Sequence, residues 1–137
     1  MIDASIALAW CFPDEQSEYA DKVLVALEGK TILVPAIWSL EITNAMLVGE
    51  RKKRLGQPEI LRFNTLLRSL PVLQDVQPIG DQIGNILPLA REHNLTAYDA
   101  AYLELAIRHG ASLATLDSPL EKATKLAGVA IFSPEVV

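Results

Sequence analysis

The chain has 137 residues, 12 Lys and Arg against 17 Asp and Glu, a formal net charge of −5 and an apolar fraction of 50%. A chain of this size buries about two-thirds of the surface it exposes when unfolded, so it needs neither disulfide nor metal to hold a core, and a folded rather than a disordered chain is expected. The acidity excludes a general nucleic-acid coat, whose affinity rests on cationic contacts to phosphate.

A strand is expected at Met1 to Asp3, although only Met1 and Ile2 precede the acid. Strands usually run about five or six residues, so this one is clipped or lacks residues upstream. A helix over Ala4 to Cys11 follows. The longest apolar run, Ile6 to Phe12, is seven residues, far below the roughly 20 that cross a bilayer. No basic flank or small-residue cleavage site marks a secretory signal, and the single cysteine cannot bridge within the chain, so a cytoplasmic location is expected. Next come a helix over Glu15 to Leu27 capped by Asp14, a strand Thr31 to Val34, and helices Ala36 to Arg54 and Glu59 to Ser69. Strand Val72 to Gln77 leads to helices Gln82 to Glu92 and Ala97 to Arg108. Strand Ser112 to Leu116, helix Pro119 to Ala127 and strand Val129 to Phe132 complete the chain. Strands alternating with helices predict an α/β fold with a mostly parallel, about five-stranded sheet in one domain, residues 1–137.

Of the acidic residues, most have ordinary surroundings. Asp14 and Asp81 precede helical patterns as caps, and Glu104 has Arg108 four residues on, the spacing of an exposed helical ion pair. Four do not. Asp3 lies between an apolar strand and an apolar helix. Glu41 has Ile37, Trp38, Asn44 and Ala45 as helical neighbours, and Asp99 has Tyr102 and Leu103, so neither has a cation within reach. Asp117 ends the run Ser112 to Leu116, and Ser118-Pro119 with Glu121 already supplies a helix start, which leaves Asp117 free. Structural roles compete with this reading: Asp3 suits a cap, and Thr96-x-x-Asp99 has the form of a capping box. In open parallel sheets the ligand crevice lies beyond the carboxyl ends of the strands, where these acids fall. Clustered carboxylates demand a cation, and oxygen ligands without Cys or His favour Mg²⁺ or Mn²⁺ over zinc.

The segments Ile2-Asp-Ala-Ser-Ile-Ala-Leu-Ala-Trp10, Leu40-Glu-Ile-Thr-Asn-Ala45, Thr96-Ala-Tyr-Asp-Ala-Ala-Tyr-Leu-Glu-Leu-Ala106 and Leu113-Ala-Thr-Leu-Asp-Ser-Pro-Leu120 resemble the PIN-domain family of metal-dependent nucleases. Within it, the chain looks most like the VapC-type toxins of type II toxin-antitoxin systems. The resemblance implies a three-layer α/β/α sandwich. It also implies that Asp3, Glu41, Asp99 and Asp117 hold one or two Mg²⁺ or Mn²⁺ ions, with Ser5, Asn44 and Thr115 lining the same pocket. The implied activity is an endoribonuclease that hydrolyses RNA phosphodiesters with a metal-activated water, leaving 5′-phosphate and 3′-hydroxyl ends. A cognate antitoxin and a homodimer are the implied partners. The family usually carries a few more strand residues before its first Asp, which is the one departure.

The basic run Arg51, Lys52, Lys53 and Arg54 ends the helix that carries Glu41. It suits either an RNA backbone, with Arg62 and Arg68 extending it, or the dipole of the helix end. His93 and His109 end helices and read as structural. Cys11, Trp10 and Trp38 are expected in core or interface, and the apolar helices near Trp10 and Met46 offer partner contacts. Tyr98 and Tyr102 are expected to pack rather than to stack on bases. Two rivals remain: a binding-only relative, and a receiver-type signalling domain. The latter needs adjacent acids after the first strand and a lysine after a late one, where this chain has Asp3-Ala4-Ser5 and Asp117-Ser118.

Overall fold

The computed structural model describes residues 1–134; the last three residues of the expected domain, 135–137, lie outside the described residues. Seven helices form among them: α1 (Ala4–Cys11), α2 (Glu18–Ala26), α3 (Ile37–Arg51), α4 (Gln57–Ser69), α5 (Ile79–His93), α6 (Ala97–His109) and α7 (Ser118–Leu126). Four begin on a side-chain cap. Asp3, Ser17, Thr96 and Asp117 accept from the amides of Ile6, Ala20, Asp99 and Leu120, each satisfying a donor that the first helical turn leaves open.

Three of these starts differ from expectation. Pro13–Glu15 forms a separate 3-10 turn, so Ser17 rather than Asp14 caps α2. Asp14 instead takes a two-pronged ion pair from Arg54, at 2.9 and 3.0 Å. The second start is that of α7, where Asp117 rather than Ser118 is the cap. In α5, which starts at Ile79 after Pro78, Asp81 lies in the first turn.

The sheet is smaller than the expected five strands. β1 (Ile32–Val34) and β2 (Val72–Gln74) pair in parallel, with Ile32 opposite Val72 and Val34 opposite Gln74. The other three segments are joined only by isolated parallel bridges, Ile2 to Ala114 and Leu113 to Ile131. The N-terminal segment makes one exchange, Ala114 N–H to Met1 O at 2.9 Å and Asp3 N–H to Ala114 O at 3.2 Å. β2 ends early because its partner runs out: the bond from Asp75 N–H to Val34 O at 2.9 Å closes the ladder, and Pro35 beyond it has no N–H to extend it.

The main core gathers Ile2, Ile6, Val23, Ile32, Phe63 and Leu113 around α1, whose buried residues lie on every side, the pattern of a helix enclosed by others. Ile86, Ala100 and Ala101 form a second cluster that fastens α5 to α6. Cys11 and Trp38 are core residues as expected, and the Trp38 indole N–H has no partner. Glu104 is not a surface residue: it is 5% exposed. Arg108 bonds its carboxylate at 2.7 Å and also grips Asp75, so the helical pair exists but is buried. No helix of the described residues is long and apolar enough to cross a membrane.

Gly49 on α3 faces the buried Phe12 ring, and a Cβ at that position would come within 2.5 Å of it. At an open helical position, Gly→Ala gains up to about 1 kcal/mol. Here Gly49→Ala is expected to destabilise by about 1–3 kcal/mol, the usual cost of overpacking, read as a lower urea midpoint at unchanged slope. A raised midpoint would contradict the close packing of α1 on α3.

Candidate metal centre

Asp3 turns from the Ile2 bridge into α1 and is 4% exposed. Its Oδ1 accepts from the Ser5 hydroxyl at 2.6 Å and from Ile6 N–H at 3.3 Å, and its Oδ2 accepts from the Thr115 hydroxyl. Both hydroxyls hold a second bond: Ser5 Oγ accepts from Leu116 N–H at 2.9 Å, and Thr115 Oγ1 from Asp117 N–H at 2.9 Å. Two short polar side chains therefore clasp Asp3 to the segment entering α7. Burial pushes the Asp3 carboxyl up to about 6, against the pull of these bonds, and the charge of Asp117 adds to the rise.

Glu41, half-buried on α3, accepts from the Tyr102 hydroxyl at 2.5 Å through Oε1. Burial holds its carboxyl above the ordinary range, and the neighbouring Asp99 adds to this. Asp99 sits in the first turn of α6. Thr96 takes its amide at 3.1 Å, but the return bond of a full capping box is not among the hydrogen bonds of the described residues, so the Asp99 carboxylate stays uncommitted. Its carboxyl is raised by burial and then by Asp117. Asp117 spends one oxygen on Leu120 N–H at 2.9 Å as the cap of α7.

Asp117 thus bears on Asp3 and Asp99, and Asp99 on Glu41, which makes the four a linked chain of negative charge. Among the described residues no Lys, Arg or His forms an ion pair with any of them. Nor do any three His, Cys, Asp or Glu side chains stand close enough together, as placed, to hold a metal ion. The donor chemistry fits a hard divalent cation: all oxygen, partly desolvated and without a protein counter-charge.

Ser5 and Thr115 join the centre through Asp3, whereas Asn44 is exposed and bonds none of the acids. Of the basic run, Arg51, Lys52 and Lys53 are exposed and unpaired among the described residues. Arg54 is committed to Asp14 and lies 4.7 Å over the Phe12 ring. Tyr98 is 61% exposed rather than packed. Tyr102 packs as expected, at 1% exposure, but its bond to Glu41 escaped the sequence reading. Its place one helical turn after Asp99 puts both on one side of α6 but does not point to Glu41.

Residues 1–126 match the profile of the PIN domain. The chain belongs to the PIN domain family. It is similar to ribonuclease VapC3 of Pyrobaculum aerophilum, 29% identical over 120 residues that cover 88% of this chain and 90% of that protein. Its fold is similar to the crystal structure of PAE2754 from Pyrobaculum aerophilum, with a TM-score of 0.66 and 30% identity over 95% of this chain and 81% of that one. In this PIN domain, Asp3 is the acid most altered by its setting.

A carboxyl raised from the ordinary 3.8 to about 6 means that the folded chain binds the extra proton between those pH values. Stability is then lost as pH climbs from about 4 to 6, on the order of 3 kcal/mol. Asp3→Asn removes that loss while keeping an acceptor for Ser5 and Ile6. Its effect on unfolding free energy is expected to be more favourable at pH 7.5 than at pH 4 by about that amount, measured in urea at both pH values. An equal effect at the two would contradict a buried, perturbed Asp3.

Proposed function

We propose that this PIN domain is an Mg²⁺- or Mn²⁺-dependent endoribonuclease, the toxin of a toxin-antitoxin pair. The observation that carries this reading is the linked, uncompensated set Asp3, Glu41, Asp99 and Asp117, with carboxyls raised at three of the four. Such an arrangement stores repulsion that a divalent cation relieves. The similarity to a protein named ribonuclease VapC3 supplies the substrate class. Parallel pairing at each of the strand joints supports the family's three-layer arrangement in one domain.

Asp3, Glu41, Asp99 and Asp117 would hold the ion. When bound, it supplies positive charge for the phosphoryl oxygens and activates water toward phosphorus. The chain contributes the rest by position. Ser5 and Thr115 fix Asp3, so that its carboxylate does not swing into solvent. Asp99 keeps its carboxylate uncommitted, and Glu41 and Asp117 each keep one oxygen beyond the hydrogen bond recorded for the other. Hydrolysis leaves 5′-phosphate and 3′-hydroxyl ends. Arg51, Lys52 and Lys53, at the far end of α3, would follow the RNA backbone, with Arg54 serving as a strut rather than a contact.

A restraining antitoxin and a homodimer belong to the same reading. Trp10 and Met46 themselves pack partly against the core, but Leu40 and Leu47 on the helix of Met46 are exposed, and a second apolar surface also supports a protein partner. It lies on Ile83, Leu87 and Tyr98, exposed along α5 and the start of α6.

Incubation of the purified chain with total RNA is expected to yield discrete cleavage with Mg²⁺ or Mn²⁺ and none with EDTA. Asp99→Asn should lose on the order of a hundredfold or more, the upper end of what loss of even an outer-shell partner costs. Cleavage that survives both chelation and the substitution would overturn the proposal.

A further inference from the structure

We infer that Tyr102 is a positioning residue of the metal centre: its hydroxyl anchors Glu41 through one carboxylate oxygen and leaves the other for the ion. This rests on the metal reading above and adds to it a residue from outside the carboxylate set. A glutamate carries three side-chain torsions, and a half-buried one with no cation nearby is otherwise free to swing away from three other acids. Among the described residues the only hydrogen-bond donor to Glu41 is the Tyr102 hydroxyl, at 2.5 Å on Oε1. The phenol is 1% exposed and so has no bulk water to bond instead. A buried tyrosine hydroxyl needs a partner, and here that partner is an acid whose own surroundings offer no other donor. Tyr102 also feels the charge of Asp3, and the amide of Ala4 at the start of α1 opposes that influence. The ring therefore stands where α3, α6 and the beginning of α1 meet, between two of the four carboxylates. Asp99 lies one turn earlier on the same helix, so a single rigid element carries one acid and orients another.

The test is a double-mutant cycle on Mn²⁺ binding, followed by the paramagnetic signal of free Mn²⁺ at fixed pH, with no RNA present. Tyr102→Phe removes one oxygen and keeps the ring that fills the core. It is expected to weaken Mn²⁺ about tenfold, in the range found for groups that orient metal ligands. In a Glu41→Gln background, the same change is expected to move affinity by less than about twofold, because the group it acts through has already been altered. If Tyr102→Phe binds Mn²⁺ as the wild type does, or loses affinity equally in both backgrounds, the positioning role is overturned while the metal reading stands. A wild type that binds no Mn²⁺ overturns the metal reading and this inference together. Should Tyr102→Phe fail to fold, 3-fluorotyrosine in the intact chain answers the question. Of the three tyrosines, assigned through Tyr19→Phe and Tyr98→Phe, the Tyr102 resonance is expected to shift on adding Mg²⁺; an unmoved resonance overturns the role.

Discussion

Isolated carboxylates resist leaving water, and this protein places Asp3 almost wholly out of it. The cost is offset locally by three donors, from Ser5, Ile6 and Thr115, which satisfy the oxygens without neutralising the charge. Much else follows from that arrangement. Asp3 must end the first extended segment and begin α1 at once, which limits the segment to a single bridge. Thr115 must sit opposite it, which sets where the Leu113 segment crosses. Asp117, two residues further on, is thereby brought near enough to add its field.

Elsewhere the chain treats buried charge differently. Glu104 is as deeply placed as Asp3, but Arg108 and Gln77 reach it, and Arg108 also holds Asp75. That network is compensated and ties α6 to the end of β2. The contrast is between a compensated acid and an uncompensated one: both are buried, and among the described residues only Asp3 lacks a cation. Arg54 makes the same point on the surface, since its guanidinium is already engaged by Asp14 and stacked on Phe12.

The helices were legible from the chain because caps and apolar spacing are local: Ala4–Cys11 and Ala97–His109 lie within a residue of expectation. Asp14 and Ser17 show the limit. Both are acceptable caps three residues apart, and the distant Arg54 decided between them by claiming Asp14. Sheet pairing was less legible, since whether Ile2 reaches one neighbour or two depends on the whole chain. At the centre, the lack of a local cation singled out Glu41 and Asp99. It misjudged Glu104, whose helical partner was visible but whose burial was not. The Tyr102 to Glu41 bond spans 61 residues, and no spacing rule on a single helix contains it.

The clasp on Asp3 joins side chains 112 residues apart along the chain. A ribosome builds from the amino end, so for most of translation the first acid exists without its hydroxyl partner, and Asp99 and Asp117 have not yet been made. The centre therefore completes only once residues as far as Asp117 have emerged, and until then a nascent copy holds its first acid unclasped by Thr115.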